Sequence, residues 1–301
     1  MPTENTDYTA TLLAIQIGGA FAGWAKKVDL SKVSIQALTA PTGNYHEVRK
    51  SGGNLEFGDF KFAYSVAETG ILLDWIQSVL RRDVIEHDGS IIVADVNGVG
   101  RRAMDFIGGH IVDLKFSDLD ANEAKAPFAV DVTCKPRNIV YRAEGNKIAA
   151  PQARTGRQIL ASNFRFQGLG DEIDKHVVKV TWPTVKNKIA AAHYGERLLP
   201  DYSYSGFEFG PLIIEVTESA YPAVVKLMKK QLFDRDVSDA SYIPLAVALL
   251  STNLTKTLLT VELKGCHIQE VDQGALEAGG RMSVIKIKAS VEEITLSPSG
   301  V

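Results

Sequence analysis

Two stretches of the chain share one pattern of apolar and polar positions. The first begins at residues 54–58 (Asn-Leu-Glu-Phe-Gly) and the second at residues 206–210 (Gly-Phe-Glu-Phe-Gly). Each stretch continues into an apolar strand, then an acidic and hydroxyl-bearing turn, and then a segment with apolar residues at the spacing of one helix face. The repetition of this order predicts that the chain is a tandem duplication.

The two helical segments carry that pattern most clearly. The first is predicted over residues 70–82, and the second is predicted to start near Pro222, since proline suits the first helical position. The predicted core faces are Leu72, Trp75, Ile76, Val79 and Leu80 in the first helix and Val224, Leu227, Met228, Gln231 and Leu232 in the second. Four of the five pairs are apolar in both copies, and the change of Val79 to Gln231 indicates that the two helices lie in different environments.

The rest of each repeat predicts β-structure. The clearest hairpin joins residues 91–96 and 102–107 through the turn Asn97-Gly98. We expect a further strand over residues 111–116, an acidic loop over 117–125 and a closing strand over 128–135. The polar residues 40–54 and 183–205 predict two long exposed loops.

These elements predict an α+β fold that is mainly β, with two tandem sandwich or barrel units and one packed helix in each unit. Residues 142–157 have little periodicity and contain Gly145, Pro151 and Gly156, as is typical of a linker. We therefore expect a first domain over residues 1–145, a linker over 146–159 and a second domain over 160–301.

Composition excludes several classes of protein. The 301 residues are 45% hydrophobic and 23% charged with a net charge of -3, as in an ordinary globular protein without the basic excess of a general nucleic-acid binder. No apolar run approaches the roughly 20 residues that a membrane-spanning helix needs, and no secretion signal is visible. Cys134 and Cys266 are expected to be buried strand residues without a disulfide.

No catalytic, metal or cofactor motif is apparent. The six histidines form no HxH or HExxH pair, and we expect none to recur at the same position of the repeat. The segment Asp118-x-Asp120-x-Asn122 resembles the start of a calcium loop, but Glu123 and Ala129 stand where that loop needs glycine and glutamate. We expect no enzymatic activity, no metal and no cofactor.

Three segments carry a resemblance to a known family. They are residues 71–76 (Ile-Leu-Leu-Asp-Trp-Ile), residues 91–98 (Ile-Ile-Val-Ala-Asp-Val-Asn-Gly) and the run from 104–106 (Met-Asp-Phe) to 113–116 (Asp-Leu-Lys-Phe). The chain is similar here to the tail tube proteins of contractile-tailed bacteriophages and contractile injection systems, which are related to the hemolysin-coregulated tube protein of type VI secretion. The resemblance covers residues 10–141 well and 160–297 more loosely, and it departs from the family in having two units per chain.

The resemblance implies a structural protein that assembles with copies of itself into stacked rings around a conduit for DNA or effectors. It implies the tail sheath protein, the baseplate hub and the tail terminator as partners, no membrane, and a place in a virion tail or bacterial injection particle assembled in the host cytoplasm. The two long loops would stack the rings, through Asn44, Tyr45, His46, Arg49, Lys50, Lys188, His193, Tyr194 and Arg197.

Two alternatives remain open at this point. One is a hub or tube-initiator protein of the baseplate, which would form single rings. The other is a ligand-binding or enzymatic β-barrel, although the acidic residues show no recurring spacing of paired carboxylates. The number of chains per ring is also open, because three two-unit chains or six chains are both compatible with six-fold symmetry.

Overall fold

A computed structural model describes residues 12–41, 48–66, 70–83, 85–123, 125–148, 159–192, 201–234, 242–274 and 284–298, with the backbone alone for 36–41 and 48–54. The strands of the first half are β1 Leu12–Ile17, β2 Ala20–Asp29, β3 Val33–Pro41, β4 Val48–Phe57, β5 Phe60–Ser65, β6 His87–Ala94, β7 Gly100–Phe116, β8 Leu119–Asp120, β9 Ala129–Lys135 and β10 Asn138–Ala143. The helix α1, Ile71–Leu80, lies between β5 and β6.

The first half closes into a β-barrel. Its strands follow the order β7-β6-β1-β2-β5-β9, and β9 pairs with β7 to complete the circuit. The alternation of buried and exposed residues in β5 and β9 supplies one face to the interior, with Phe62 opposite Val132. The helix α1 covers this interior with the ring of Trp75, whose centroid lies 6.5 Å from that of Phe106 in β7.

The second half comprises β11 Phe164–Gln167, α2 Asp171–Asp174, β12 Val177–Thr181, β13 Val185–Ala192, β14 Asp201–Phe209, β15 Leu212–Thr217, α3 Tyr221–Met228, β16 Ile243–Leu250, β17 Thr257–Asp272, β18 Val284–Ser290 and β19 Glu293–Pro298. A π-helical turn, Lys229–Phe233, continues α3. The sheet order β11-β16-β17-β18-β15-β12 repeats the order of the first barrel, but β11 and β12 are not paired with each other. The second barrel is therefore nearly closed.

Pairing registers in the two halves correspond closely. In the first half Ile91 pairs with Met104, and in the second Val247 pairs with Val261. The strand β10 pairs with β7 as β19 pairs with β17. One core cluster of buried side chains includes residues of both halves. The halves thus have the same strand order and share a common interior.

The predicted fold class, an α+β protein that is mainly β, is confirmed. The hairpin around Asn97-Gly98 is confirmed as β6 and β7. The predicted separation of residues 102–107 from 111–116 is wrong, because β7 runs through both. It does so by placing Gly108 at φ 60°, a conformation that glycine adopts without a Cβ penalty.

The predicted long loops are also corrected. Much of residues 40–54 belongs to β3 and β4, which form a two-stranded antiparallel hairpin. Much of residues 183–205 belongs to β13 and β14, a hairpin of the same kind. Within the acidic segment 117–125, β8 is a further short strand. Backbone hydrogen bonds between the paired strands hold these polar segments in β-structure, so the strands form without a regular alternation of apolar side chains.

Candidate assembly surfaces

The hairpin β13–β14 of the second half adds to the barrel of the first half. Its strand β13 pairs antiparallel with β7, with Val185 opposite Leu114 and Lys186 opposite Asp113. The amide of Asn187 donates to the carbonyl oxygen of Ile111 over 3.4 Å. Since Val185 and Leu114 are both buried, this contact combines strand pairing with apolar burial. We call it the internal seam.

A buried polar group lies at the internal seam. His110 of β7 is fully buried, and its Nδ1 lies 3.0 Å from the hydroxyl oxygen of Tyr204 in β14. The rings of Tyr202 and Tyr204 contact the imidazole edge-on, at centroid distances of 5.6 Å and 5.5 Å. Burial lowers the pKa of His110, and nearby Arg137 lowers it further against the opposing effect of Glu86. The site therefore favours the neutral imidazole.

A second histidine occupies the equivalent position in the other half. Gly108 precedes His110 by two residues at φ 60°, and Gly265 precedes His267 by two residues at φ 62°. His110 pairs with Lys135 in β9, and His267 pairs with Ser290 in β18. The prediction that no histidine recurs in the repeat is therefore wrong. The offset between the halves grows from 152 at the hairpins to 157 here, because loops of different length intervene.

The two halves also meet along a second strip. In α1, the side-chain amide of Gln77 donates to the carbonyl oxygen of Leu296 in β19 over 2.8 Å. Arg82 donates to the carbonyl oxygen of Glu292 over 3.0 Å, and its guanidinium lies 5.6 Å from the ring centroid of Phe207 in β14. The helix of the first half is thus held against the last strand of the second.

A third contact between the two halves is made by residues around β8 in the first half and β12 in the second. The short strand β8 pairs with β12 through Leu119 opposite Val180. The backbone amide of Phe128 donates to the carbonyl oxygen of Ile159 over 2.8 Å. Trp182 packs against Phe128 and Phe116, with ring centroids 6.2 Å and 6.0 Å away. These contacts place an aromatic cluster between the halves.

The hairpin β3–β4 has no strand neighbour beyond its own two strands within the part of the chain that the structure describes. Its base is closed as in β13–β14: Gly58 N donates to Lys32 O over 2.8 Å, and Gly210 N donates to Thr184 O over 2.8 Å. Near the base, Val33, Ile35 and Leu55 are exposed. This hairpin therefore presents an uncovered apolar surface.

The predicted stacking residues lie in different places. Asn44, Tyr45, His46, His193, Tyr194 and Arg197 are outside the described residues. Arg49 and Lys50 are in strand β4, and Lys188 is in β13, where it forms an ion pair with Glu208. These three belong to hairpin strands where loops were expected. The His110 group was missed in the sequence because its partners come from a separate hairpin.

The residues predicted for the helix cores lie as follows. Leu72, Trp75, Ile76 and Val224 are fully buried, while Leu227 and Met228 are partly buried and pack against the core. Gln231 is buried in the π-helical turn, and within the part of the chain that the structure describes its Oε1 accepts no hydrogen bond. The second helix thus has a buried polar side chain where the first has Val79.

Among the described residues, no group of three or more His, Cys, Asp or Glu side chains is arranged to hold a metal ion. Cys134 and Cys266 are buried free thiols. Burial raises the pKa of the Cys134 thiol and raises that of Cys266 to about 12, so both are protonated and poorly nucleophilic at neutral pH. Neither thiol is suited to nucleophilic chemistry.

The described helices include none that is long and apolar enough to cross a membrane.

No protein-family model matches the sequence, and no curated protein matches it. Solved structures that this chain resembles include the sheath/tube terminator of the extracellular contractile injection system PVC, at 14% identity, covering 47% of this chain and 100% of that one with a TM-score of 0.40. The PVC sheath-tube complex in the extended state has 15% identity, covering 47% and 94% with a TM-score of 0.41. Hcp1 from Flavobacterium johnsoniae has 14% identity, covering 46% and 100% with a TM-score of 0.30.

Proposed function

We propose that this chain is a structural tube protein that assembles with copies of itself into stacked rings, forming the inner tube of a contractile phage tail or injection system. The observation that carries the proposal is the internal seam, in which one barrel is extended by a hairpin from the other half. Units that extend each other's sheets are suited to ring assembly, because each contact covers a strand edge that is otherwise open. The proposed role is structural, with no reaction to catalyse, no metal and no cofactor.

The two halves are proposed to be tandem copies of one unit. The division is a first domain over residues 1–145, a linker over 146–159 and a second domain over 160–301. The matching strand orders and hairpin registers support this division. With two units per chain, three chains would complete a ring of six units, and six chains would do so if one unit of each chain lay outside the ring.

The proposed partners are copies of this chain, the tail sheath protein, the baseplate hub and the tail terminator. DNA or effector proteins would pass through the lumen, whose wall should be hydrophilic and poor in Lys and Arg, since these would retain phosphates. The proposed location is a virion tail or a bacterial injection particle, assembled in the host cytoplasm.

One alternative has specific support. A hub or tube-initiator protein would form single rings without stacking, and the divergence of the two halves at Val79 and Gln231 suits a component with two distinct environments. An enzymatic or ligand-binding barrel has no comparable support among the described side chains.

Negative-stain electron microscopy of the purified protein over a range of concentrations tests the proposal. A tube protein is expected to give rings and stacked tubes, and class averages give the symmetry. Single rings that never stack would favour the hub. A monodisperse monomer at high concentration would contradict both.

A further inference from the structure

The internal seam joins a hairpin, which we call the donor, to the edge of a strand, which we call the acceptor. Each of the two has an equivalent elsewhere in the chain. The donor is the hairpin β13–β14, and its equivalent is β3–β4. Val185 pairs with Phe209 as Val33 pairs with Phe57, and Ile189 pairs with Tyr204 as Ala37 pairs with Gly52. Both hairpins have a register shift at the same step, before Ile189 and before Ala37. The donor is therefore present twice, although one copy is already used within the chain.

The acceptor is the edge of β7 beyond Gly108, and its equivalent is the edge of β17 beyond Gly265. The register of β7 with β9 shifts between Ile111 and Asp113, and that of β17 with β18 shifts between Ile268 and Glu270. On this alignment Glu270 and Val271 stand where Asp113 and Leu114 receive the hairpin. Within the described residues, β17 pairs over this stretch with β18 alone. The chain thus has one spare donor and one spare acceptor.

Burial distinguishes the used surfaces from the spare ones. Val185 of the docked hairpin is 1% exposed, and its equivalent Val33 is 45% exposed. Ile35 is 62% exposed, whereas Asn187 in the same position is buried. Ile35 pairs directly with Leu55, which is also exposed, and Val33 lies two residues before Ile35 on the same strand, so these apolar side chains are neighbours. A contiguous exposed apolar surface of this kind is a candidate for coverage by another molecule.

The contact between α1 and β19 also has uncovered equivalents, and it supports the same inference independently. In α1, Leu73 is 2% exposed and lies one turn before Gln77, which bonds to β19; its equivalent in α3, Val225, is 42% exposed. In β19, Leu296 is 3% exposed, and its equivalent in β10, Tyr141, is 49% exposed. Within the described residues, neither α3 nor β10 makes a helix–strand contact like that of α1 with β19, although the hydroxyl of Tyr141 in β10 donates to the carbonyl oxygen of Ser31.

We propose that a second copy of this chain occupies these surfaces: its hairpin β3–β4 pairs with the β17 edge, with Val33 opposite Val271 and Ser34 opposite Glu270, while its β10 lies against α3. The contact repeats the internal seam between chains and is heterologous, so each copy offers a donor at one end and an acceptor at the other. We call it the external seam. The inference deepens the proposed ring-forming role and rests on it only for the closure of the chains into a ring.

Site-directed cross-linking tests the external seam directly. Opposed residues of an antiparallel pair have Cα atoms about 4.5–5.5 Å apart, within the range that a disulfide spans. A mixture of the Val33→Cys chain and the Val271→Cys chain should give a covalent dimer on mild oxidation. The double variant should give a ladder whose largest closed product counts the chains per ring. Oxidised wild-type protein is the control, because Cys134 and Cys266 are buried.

A second variant tests the seam without new thiols. Ile35→Asp places a charge on a side chain that is exposed in the single chain, so folding measured by circular dichroism should be unchanged while self-association falls at least tenfold. Val96→Asp is the matched control, since Val96 is 74% exposed and lies in the turn between β6 and β7, outside the strands and the helix that the external seam joins. Association is measured by sedimentation velocity.

The outcomes separate the two proposals. Cross-linked products together with loss of association in Ile35→Asp alone would support the external seam. Rings in micrographs without cross-linking, or with Ile35→Asp still associating as wild type, would overturn the seam and leave the ring-forming role intact. Monomers that neither cross-link nor form rings would overturn both.

Discussion

His110 and His267 lie at the same step of two equivalent strands, each two residues after a glycine in the left-handed region. His110 is fully buried against Tyr204 of the docked hairpin, whereas His267 is partly exposed. The difference between the two environments follows from the hairpin, because β13–β14 covers the β7 edge and no described strand covers the β17 edge. The burial of each histidine therefore indicates whether a hairpin covers the edge of its strand.

The buried imidazole predicts a pH dependence of stability. Burial lowers the pKa of His110 in the folded state, whereas the unfolded chain takes up a proton near pH 6.5. Below that pH the unfolded state binds more protons, so the contribution of His110 is complete above about pH 6.5 and is lost as the pH falls toward the folded pKa. The urea midpoint should fall between pH 7 and pH 5, and less steeply in His110→Asn. An identical pH slope in the variant would contradict this.

The hydroxyl of Tyr204 is expected to stabilise the internal seam. Tyr204→Phe removes the partner of the buried His110 Nδ1 and should lower the free energy of unfolding by about 1–3 kcal/mol. Tyr242→Phe is the matched control, since Tyr242 is exposed, and it should change stability by less than about 0.5 kcal/mol. Urea unfolding followed by fluorescence measures both, and equal effects of the two variants would argue against the bond.

The Oε1 atom of Gln231, which accepts no hydrogen bond within the described residues, should be a stability defect. Gln231→Met has similar length and removes this buried oxygen, so the unfolding free energy should rise by about 1–3 kcal/mol. The reciprocal change, Val79→Gln, introduces such a group into α1 and should lower it by a similar amount. Chemical denaturation of both variants gives the comparison. A loss of stability in Gln231→Met would contradict this prediction.

Gly108 and Gly265 should not tolerate a side chain. Both have φ near 60°, and a Cβ at Gly265 would lie 2.4 Å from Glu292 Oε2 and 2.7 Å from its Cβ. Gly265→Ala and Gly108→Ala should each cost more than the roughly 1–2 kcal/mol of left-handed strain alone. Gly98→Ala isolates that strain, because Gly98 has φ 73° and nothing within 4 Å of the added atom. Thermal unfolding should rank Gly98→Ala as the mildest of the three.

Much of the fold follows from local patterns in the sequence. The helix α1 and the β6–β7 hairpin were predicted because a helical period and an Asn-Gly turn act over a few residues. The hairpins β3–β4 and β13–β14 were predicted as loops, since backbone bonds order them without an apolar alternation. Polar strands of this kind are recognised from their partners, which lie far away in the sequence.

The internal seam could not be predicted for a related reason. One fixed offset aligns the hairpins of the two halves, but the additional residues between α3 and β16 shift the later strands, so His267 falls out of register with His110. Tyr204 approaches His110 from 94 residues away. A comparison that allowed gaps between the two halves would have aligned the two histidines, although not the tyrosine.

The pairing of β13 with β7 also imposes an order on biosynthesis. The edge of β7 is complete once residue 116 has been made, whereas its partner hairpin ends at Phe209. At about 5–20 residues per second, translation leaves that edge open for roughly 5–20 s. During this interval the earlier hairpin β3–β4 of the same nascent chain is already available as a competitor. The difference between Ile35 in β3 and Asn187 in β13 therefore also affects which of the two hairpins pairs with β7 in the nascent chain.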